Sequence, residues 1–149
     1  MDNPYFASAL DVLRRFYGYQ NFRPAQEPVI QSLLGGHDTV AVMPTGAGKS
    51  ICFQIPAMVF PGITLVISPL ISLMKDQVDA LAEQGIPATY INSTLSMSES
   101  DARLNAIAAG QYKLIYVAPE RLDTSYFQYI LEHQPLSMVA IDEAHCLSQ

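Results

Sequence analysis

Phe6, Leu10, Leu13 and Tyr17 fall at the spacing of one helix face, so residues 4–17 are predicted to form an amphipathic helix that Gly18 ends. A run dense in aromatic and amide groups, Tyr19 to Gln26, follows. It leads into a short helix with Pro24 or Pro28 in its first turn and Gly35-Gly36 closing it. Asp38 to Met43 is predicted as a buried strand, and a helix starting near Lys49 passes through Cys52 and Phe53 until Pro56 bends or ends it. Ile63 to Ile67 is short and almost wholly apolar, which suits a central parallel strand. Ser68 is then the predicted N-cap, with Pro69 at the first helical position and Leu70, Leu73, Met74, Val78 and Leu81 as one apolar stripe. Gly85 and Pro87 stop that helix. Ala88 to Ile91 forms a further strand, and Ser96 with Glu99 has capping-box spacing for a helix running to Gly110. Lys113 to Val117 and Met138 to Ile141 are two more apolar strands, with a helix around Tyr126 to Leu131 between them. Strands alternating with helices of crossover length predict an α/β fold: a mostly parallel sheet with helices on both faces. The last strand has no helix after it, so the chain is expected to be the first part of something longer.

Length and composition narrow the class. The 149 residues fit one domain, half of them hydrophobic and 15% charged. No run approaches the roughly 18–20 apolar residues of a membrane span, and Met1-Asp2-Asn3-Pro4 opens no signal peptide. A cytoplasmic protein with no membrane partner is the expectation. Cys52 and Cys146 have no metal-site spacing and read as buried free thiols. The formal charge of −6 is uneven: residues 1–75 carry +1 and residues 76–149 carry −7. Any nucleic-acid contact must therefore use backbone amides, hydroxyls and a few chosen cations rather than a broad basic face.

Two stretches carry chemistry. Met43-Pro44-Thr45-Gly46-Ala47-Gly48-Lys49-Ser50 lies between a predicted strand and a predicted helix, the context of a phosphate cradle. Glycines let successive N–H groups converge on phosphate oxygens, and the helix start adds its positive dipole end. Lys49 would reach the β- and γ-phosphates, and Ser50 would offer a hydroxyl to Mg²⁺. Met43 stands where the general consensus has its first glycine; a Gly-rich turn with an exposed lysine is the plain alternative. The second stretch is Asp142-Glu143-Ala144-His145, directly after the last apolar strand. Paired carboxylates there need a cation or hydrogen bonds, and ligands of open α/β sheets bind at that edge. Asp142 is the candidate Mg²⁺ ligand and Glu143 the candidate base for an attacking water. A solvated acidic turn is the alternative.

Five blocks in order resemble the RecQ family of DNA helicases, within superfamily 2. They are Gly18 to Gln26, Met43 to Ser50, Val66 to Gln77, Tyr116 to Leu122 and Asp142 to Gln149, so the resemblance spans about Phe16 to Gln149. It implies a RecA-like P-loop NTPase domain, here partial over 1–149, that binds ATP and Mg²⁺ through Thr45, Gly46, Ala47, Gly48, Lys49 and Ser50. Ala47 departs from the glycine of many relatives, at the cost of one methyl group. The resemblance also implies adenine recognition by Tyr19, Arg23 and Gln26, whose stacking face, guanidinium and carboxamide suit that task. Single-stranded or partly duplex DNA is the implied partner, met in part by the Ser68 to Gln77 block, with 3′-to-5′ movement in recombination and repair. His145 is implied to couple the nucleotide and DNA sites. A second RecA-like domain with its arginine finger, and zinc-binding or winged-helix modules, are implied beyond Gln149. Because such a finger is worth about 10³–10⁵ in turnover, hydrolysis by this segment alone is expected to be near background. The alternatives are a small P-loop kinase or nucleotide switch, an RNA helicase of the wider superfamily, and a nucleotide-binding fragment without turnover.

Overall fold

The computed structural model describes residues 4–43, 48–122 and 125–142. The chain divides into two units, Met1–Phe60 and Pro61–Gln149. In the first, α1 (Phe6–Val12) continues as a π-helical segment, Leu13–Tyr17, up to Gly18 at φ +77°. The predicted single helix is therefore present, widened in its last turns. Helix α2 (Glu27–Leu34) has its proline at the start and Gly35 at its end, as the pattern predicts. Helix α3 spans Lys49–Val59. Ala9, Leu13, Phe22, Ile30, Leu34 and Ile55 bury one core among these helices, and Tyr17 Oη donates to Gln54 Oε1 at 2.7 Å.

The second unit is the α/β part. Its strands β1 (Ile63–Ile67), β2 (Ala88–Ile91), β3 (Leu114–Val117) and β4 (Leu136–Ile141) form a sheet of order β2-β3-β1-β4 in which every pair is parallel. Parallel neighbours need long crossovers, which α4 (Ile71–Glu83), α5 (Met97–Ala108) and α6 (Ser125–His133) supply. Alternate residues of each strand point to opposite faces. Ile63, Leu65, Ile91, Ile115 and Val117 pack with Leu104 and Ile107 of α5 and Ile130 of α6. Thr64, Val66, Leu114 and Tyr116, on the other face, are also buried, and α4 packs on β2. The sheet is thus covered on both faces along β1, β2 and β3.

Four local expectations need correction. Asp38–Met43 is not a strand: it makes no ladder, and Val40 and Val42 are 95% and 96% exposed. β-propensity is largely a measure of packing against neighbours, and an apolar run without a neighbouring strand gains nothing from extension. Of the two effects expected of Pro56, ending α3 is not the one seen, because the helix runs three residues further to Val59; a proline near the last turn removes one amide bond where few remain to be lost. Ser68 does not cap α4. Its Oγ accepts from the Leu70 N–H at 3.2 Å in a local turn, and the helix starts at Ile71. Leu73 leaves the predicted stripe and is exposed, while Met74, Val78 and Leu81 are buried.

The capping box is present in full: Ser96 Oγ accepts from the Glu99 N–H at 3.1 Å, and Glu99 Oε1 accepts from the Ser96 N–H at 2.9 Å. The Ser96 backbone N–H first, and the Ser96 hydroxyl after it, hold the Glu99 carboxyl below its ordinary value of 4.5. A depressed carboxyl stabilises the fold above its unfolded pKa and loses that contribution as pH falls through the folded one. Ser96→Ala is expected to lower stability by about 1 kcal/mol in urea unfolding, and Glu99→Gln to flatten the loss of stability below pH 4.5. Unchanged unfolding midpoints in both variants would remove the box as a stabilising feature.

Candidate functional site

Helix α3 begins at Gly48, which stands at φ +75°, ψ 36°, a left-handed conformation that turns the incoming chain into the helix axis. Lys49 and Ser50 occupy the first turn and are half-buried. Amide groups of a first turn lack intrahelical acceptors and carry the positive end of the helix dipole, so an anion is favoured there. Pro44, Thr45, Gly46 and Ala47 lie outside the described residues. On the chain's approach, Cys52 Sγ donates to Met43 Sδ at 3.7 Å. Burial raises the Cys52 thiol to about 11, so it stays protonated and packs as a small apolar group.

The Tyr19 to Gln26 stretch meets the start of α3. Gln26 is 3% exposed and uses both ends of its carboxamide. Its Oε1 accepts from the Arg23 N–H at 2.9 Å and its Nε2 donates to the Gly48 carbonyl at 3.0 Å. Main-chain bonds from Gln26 N and Glu27 N to Arg23 O close the same turn. A Cβ on Gly48 would stand 2.4 Å from Gln26 Nε2 and 3.8 Å from an Arg23 guanidinium nitrogen. Two stretches over twenty residues apart in sequence are therefore in contact, and only glycine fits between them. Each end of a primary amide can make a second hydrogen bond, so Gln26 retains capacity for one donor and one acceptor contact. Tyr19, 53% exposed, and Arg23, also an exposed residue, lie on the same segment. A cation, a hydroxyl and a helix start fit a magnesium-bound phosphate group.

In the second unit, the parallel sheet brings every strand's carboxyl end to one edge. β1 ends into buried Ser68 and β4 into Asp142, whose N–H donates to the Ile67 carbonyl at 2.9 Å. Asp142 is half-buried beside β1; Glu143, Ala144, His145 and Cys146 lie outside the described residues. Asn92, which the reading of the sequence passed over, closes β2 at the same edge. It is buried, its Oδ1 accepts from the Thr94 N–H at 2.9 Å, and its Nδ2 faces Met74 Sδ at 3.5 Å. The signal was present: Asn92-Ser93-Thr94 directly after an apolar strand is a turn-forming cluster.

Residues 23–149 match the DEAD/DEAH box helicase family profile. The chain belongs to the DEAD/DEAH box helicase family. Among its relatives it is similar to the ATP-dependent DNA helicase RecQ of Pasteurella multocida, 53% identical over 98% of this chain and 23% of that protein. It is also similar to the ATP-dependent DNA helicase RecQ of Bacillus subtilis, 54% identical over 95% of this chain and 24% of that protein. The ATP-dependent DNA helicase Q-like 5 of Arabidopsis thaliana is 43% identical over 93% of this chain and 15% of its own length. The chain thus spans about a quarter of the bacterial relatives it matches. No helix among the described residues is long and apolar enough to cross a membrane. The parallel sheet and its helices suit the RecA-like domain of a DEAD/DEAH box helicase.

Gly48→Ala would force a side chain into a left-handed position and against Gln26. It is expected to lower stability by about 1–2 kcal/mol from the backbone alone, with added loss from the broken Gln26–Gly48 bond. Chemical unfolding of the variant tests this, and an unshifted midpoint would contradict the observed packing.

Proposed function

We propose that this chain is the ATP-binding part, a partial first RecA-like domain over 1–149, of a RecQ-like ATP-dependent DNA helicase that moves 3′-to-5′ on single-stranded DNA during recombination and repair. One observation supports it most: the buried Gln26 carboxamide joins the Arg23 turn to Gly48 at the start of α3. An isolated Gly-rich turn has no need of a second segment held against it. The similar proteins are ATP-dependent DNA helicases, which agree with this reading in substrate and energy source.

In this reading Lys49 neutralises charge on the β- and γ-phosphates, and α3 aims its first amides at the same group. Ser50 and Asp142 hold Mg²⁺, which when bound offsets the charge that develops as the terminal phosphoryl group departs. Glu143 orients water and accepts its proton. Tyr19 stacks on adenine, Gln26 spends its remaining donor and acceptor on the base edge, and Arg23 adds a hydrogen bond or a stacking surface. Single-stranded or partly duplex DNA follows the sheet edge that carries Ser68. A second RecA-like domain beyond this chain supplies the arginine finger, so the isolated segment binds nucleotide with turnover near background.

In the intact protein, Lys49→Ala is expected to abolish ATP hydrolysis while leaving the circular dichroism spectrum and unfolding midpoint near wild type. Wild-type turnover in that variant would remove Lys49 from the phosphate site. Gln26→Ala is expected to weaken ATP more than a pyrimidine triphosphate in equilibrium binding. Equal losses for the two nucleotides would leave Gln26 as a structural bridge only.

A further inference from the structure

Gln54 is a polar residue in an apolar place. It stands in α3 beside Ile55, a member of the first unit's core, and is 7% exposed. A carboxamide buried there costs stability unless it is bonded. Its Oε1 accepts from Tyr17 Oη at 2.7 Å. Tyr17 is half-buried against the same core, so its ring packs with apolar neighbours while its hydroxyl reaches α3. Packing alone does not call for this bond, because two apolar side chains would fill the space without a polar group to satisfy.

Both partners border the proposed nucleotide site. Gln54 lies one helical turn beyond Ser50, on the same face of α3. Tyr17 is the last residue of the π-helical segment, and π turns recur at functional sites. Gly18, at φ +77°, turns the chain there, and Arg14 Nε donates to the Gln20 carbonyl at 2.9 Å, which closes the turn back onto the helix. Tyr19 therefore sits between two tied neighbours: Tyr17 is bonded to α3 and Gln20 to Arg14. Further along, Gln26 makes a second bond to α3, at Gly48. By the rise of an α-helix, Gly48 and Gln54 lie about 9 Å apart along its axis. One contact fixes a point on α3, and two fix the direction of the helix relative to the segment that carries Tyr19.

We propose, on the reading of 19–26 as the adenine-binding stretch, that Tyr17 is a positioning residue: through Gln54 it holds the Tyr19 turn at a set distance from the phosphate-binding start of α3, and so supports selection of adenine over a smaller base. Tyr17 need not touch the nucleotide to do this. A base on Tyr19 and a triphosphate at Lys49 belong to one ligand, so ring and helix start must be offered at a separation that the ligand can span. A segment tied at both Tyr17 and Gln26 offers it before binding. Untied at Tyr17, the turn must be ordered as the base arrives, and that cost falls on the base contacts alone.

The test is made on the intact protein by equilibrium binding of ATP, CTP and inorganic tripolyphosphate in the presence of Mg²⁺, with the unfolding midpoint measured alongside. Wild type is expected to prefer ATP to CTP. Tyr17→Phe keeps a ring in the core and removes the hydroxyl. It is expected to weaken ATP about fivefold, the ratio to which one ordinary hydrogen bond corresponds, and to leave CTP and tripolyphosphate near wild-type affinity. Gln54→Leu, which removes the acceptor, is expected to lose the same selectivity, and adding Tyr17→Phe to it is expected to change the ATP-to-CTP ratio no further. A wild-type ATP-to-CTP ratio in Tyr17→Phe would overturn the proposal and leave the adenine reading standing. So would equal weakening of all three ligands, which a general loosening of the fold produces, and so would a further loss of selectivity in the double variant, which would give the hydroxyl a different partner. A wild type that binds ATP and CTP alike would remove the adenine reading and this proposal with it.

Discussion

Strand β1 sets the terms for the second unit. Its five residues are buried, so backbone groups on both of its sides need partners that water cannot supply. β3 provides them along Thr64 to Ile67 and β4 along Ile63 to Ile67. Both are parallel to it, and a parallel neighbour is reached only by a crossover long enough to hold a helix. The crossover helices then cover the faces that the apolar strands require to be dry. The same condition aligns the strands' carboxyl ends, so Ser68, Asn92 and Asp142 reach one edge as a by-product of hydrogen bonding in the middle of the sheet. Whatever these groups bind, they are positioned by residues elsewhere in the sheet.

The first unit solves a different problem. Its three helices share a modest apolar core, yet its most telling contact is polar. Gln26 is almost fully buried, and a carboxamide in that position costs stability unless both ends are bonded. Arg23 and Gly48 provide those bonds, and the absence of a side chain at Gly48 lets the amide come close enough. This makes the position of the α3 start dependent on the turn at Arg23 to Gln26. A ligand that engages Gln26 therefore acts on the same group that holds Gly48, a short mechanical route between base and phosphate in the proposed site.

What was legible in the sequence was what short-range chemistry decides. The Ser96–Glu99 box and the glycine ends of α2, α4 and the π-helical segment after α1 depend on residues near one another, and all are present within a residue or two. The resemblance carried the rest of the site, because nothing in the spacing of Gln26 and Gly48 announces that they touch. Asp38–Met43 was misread because an apolar run forms a strand only where a neighbour accepts its ladder. Ser68 was misread because the same hydroxyl can cap a helix or close a turn, and the chain after Pro69 decides which. Thr45, Gly46, Ala47 and Glu143 lie outside the described residues, and their roles stay with the proposal.

Charge constrains how the proposed DNA partner can be held. The second half of the chain carries −7, so a duplex or single strand lying along the sheet edge meets a repulsive background. Beside the Asp142 carboxylate, the groups that reach that edge are a buried serine hydroxyl and an asparagine-centred turn, neither of which is charged. Such contacts fix the path of a phosphate backbone without strong attraction. For a motor that must release and re-grip its track this is the better arrangement, because a strand held by many lysines would cost more to let go at each step than a strand held by amides and hydroxyls. The acidic balance of the chain is then compatible with the translocating function proposed for it.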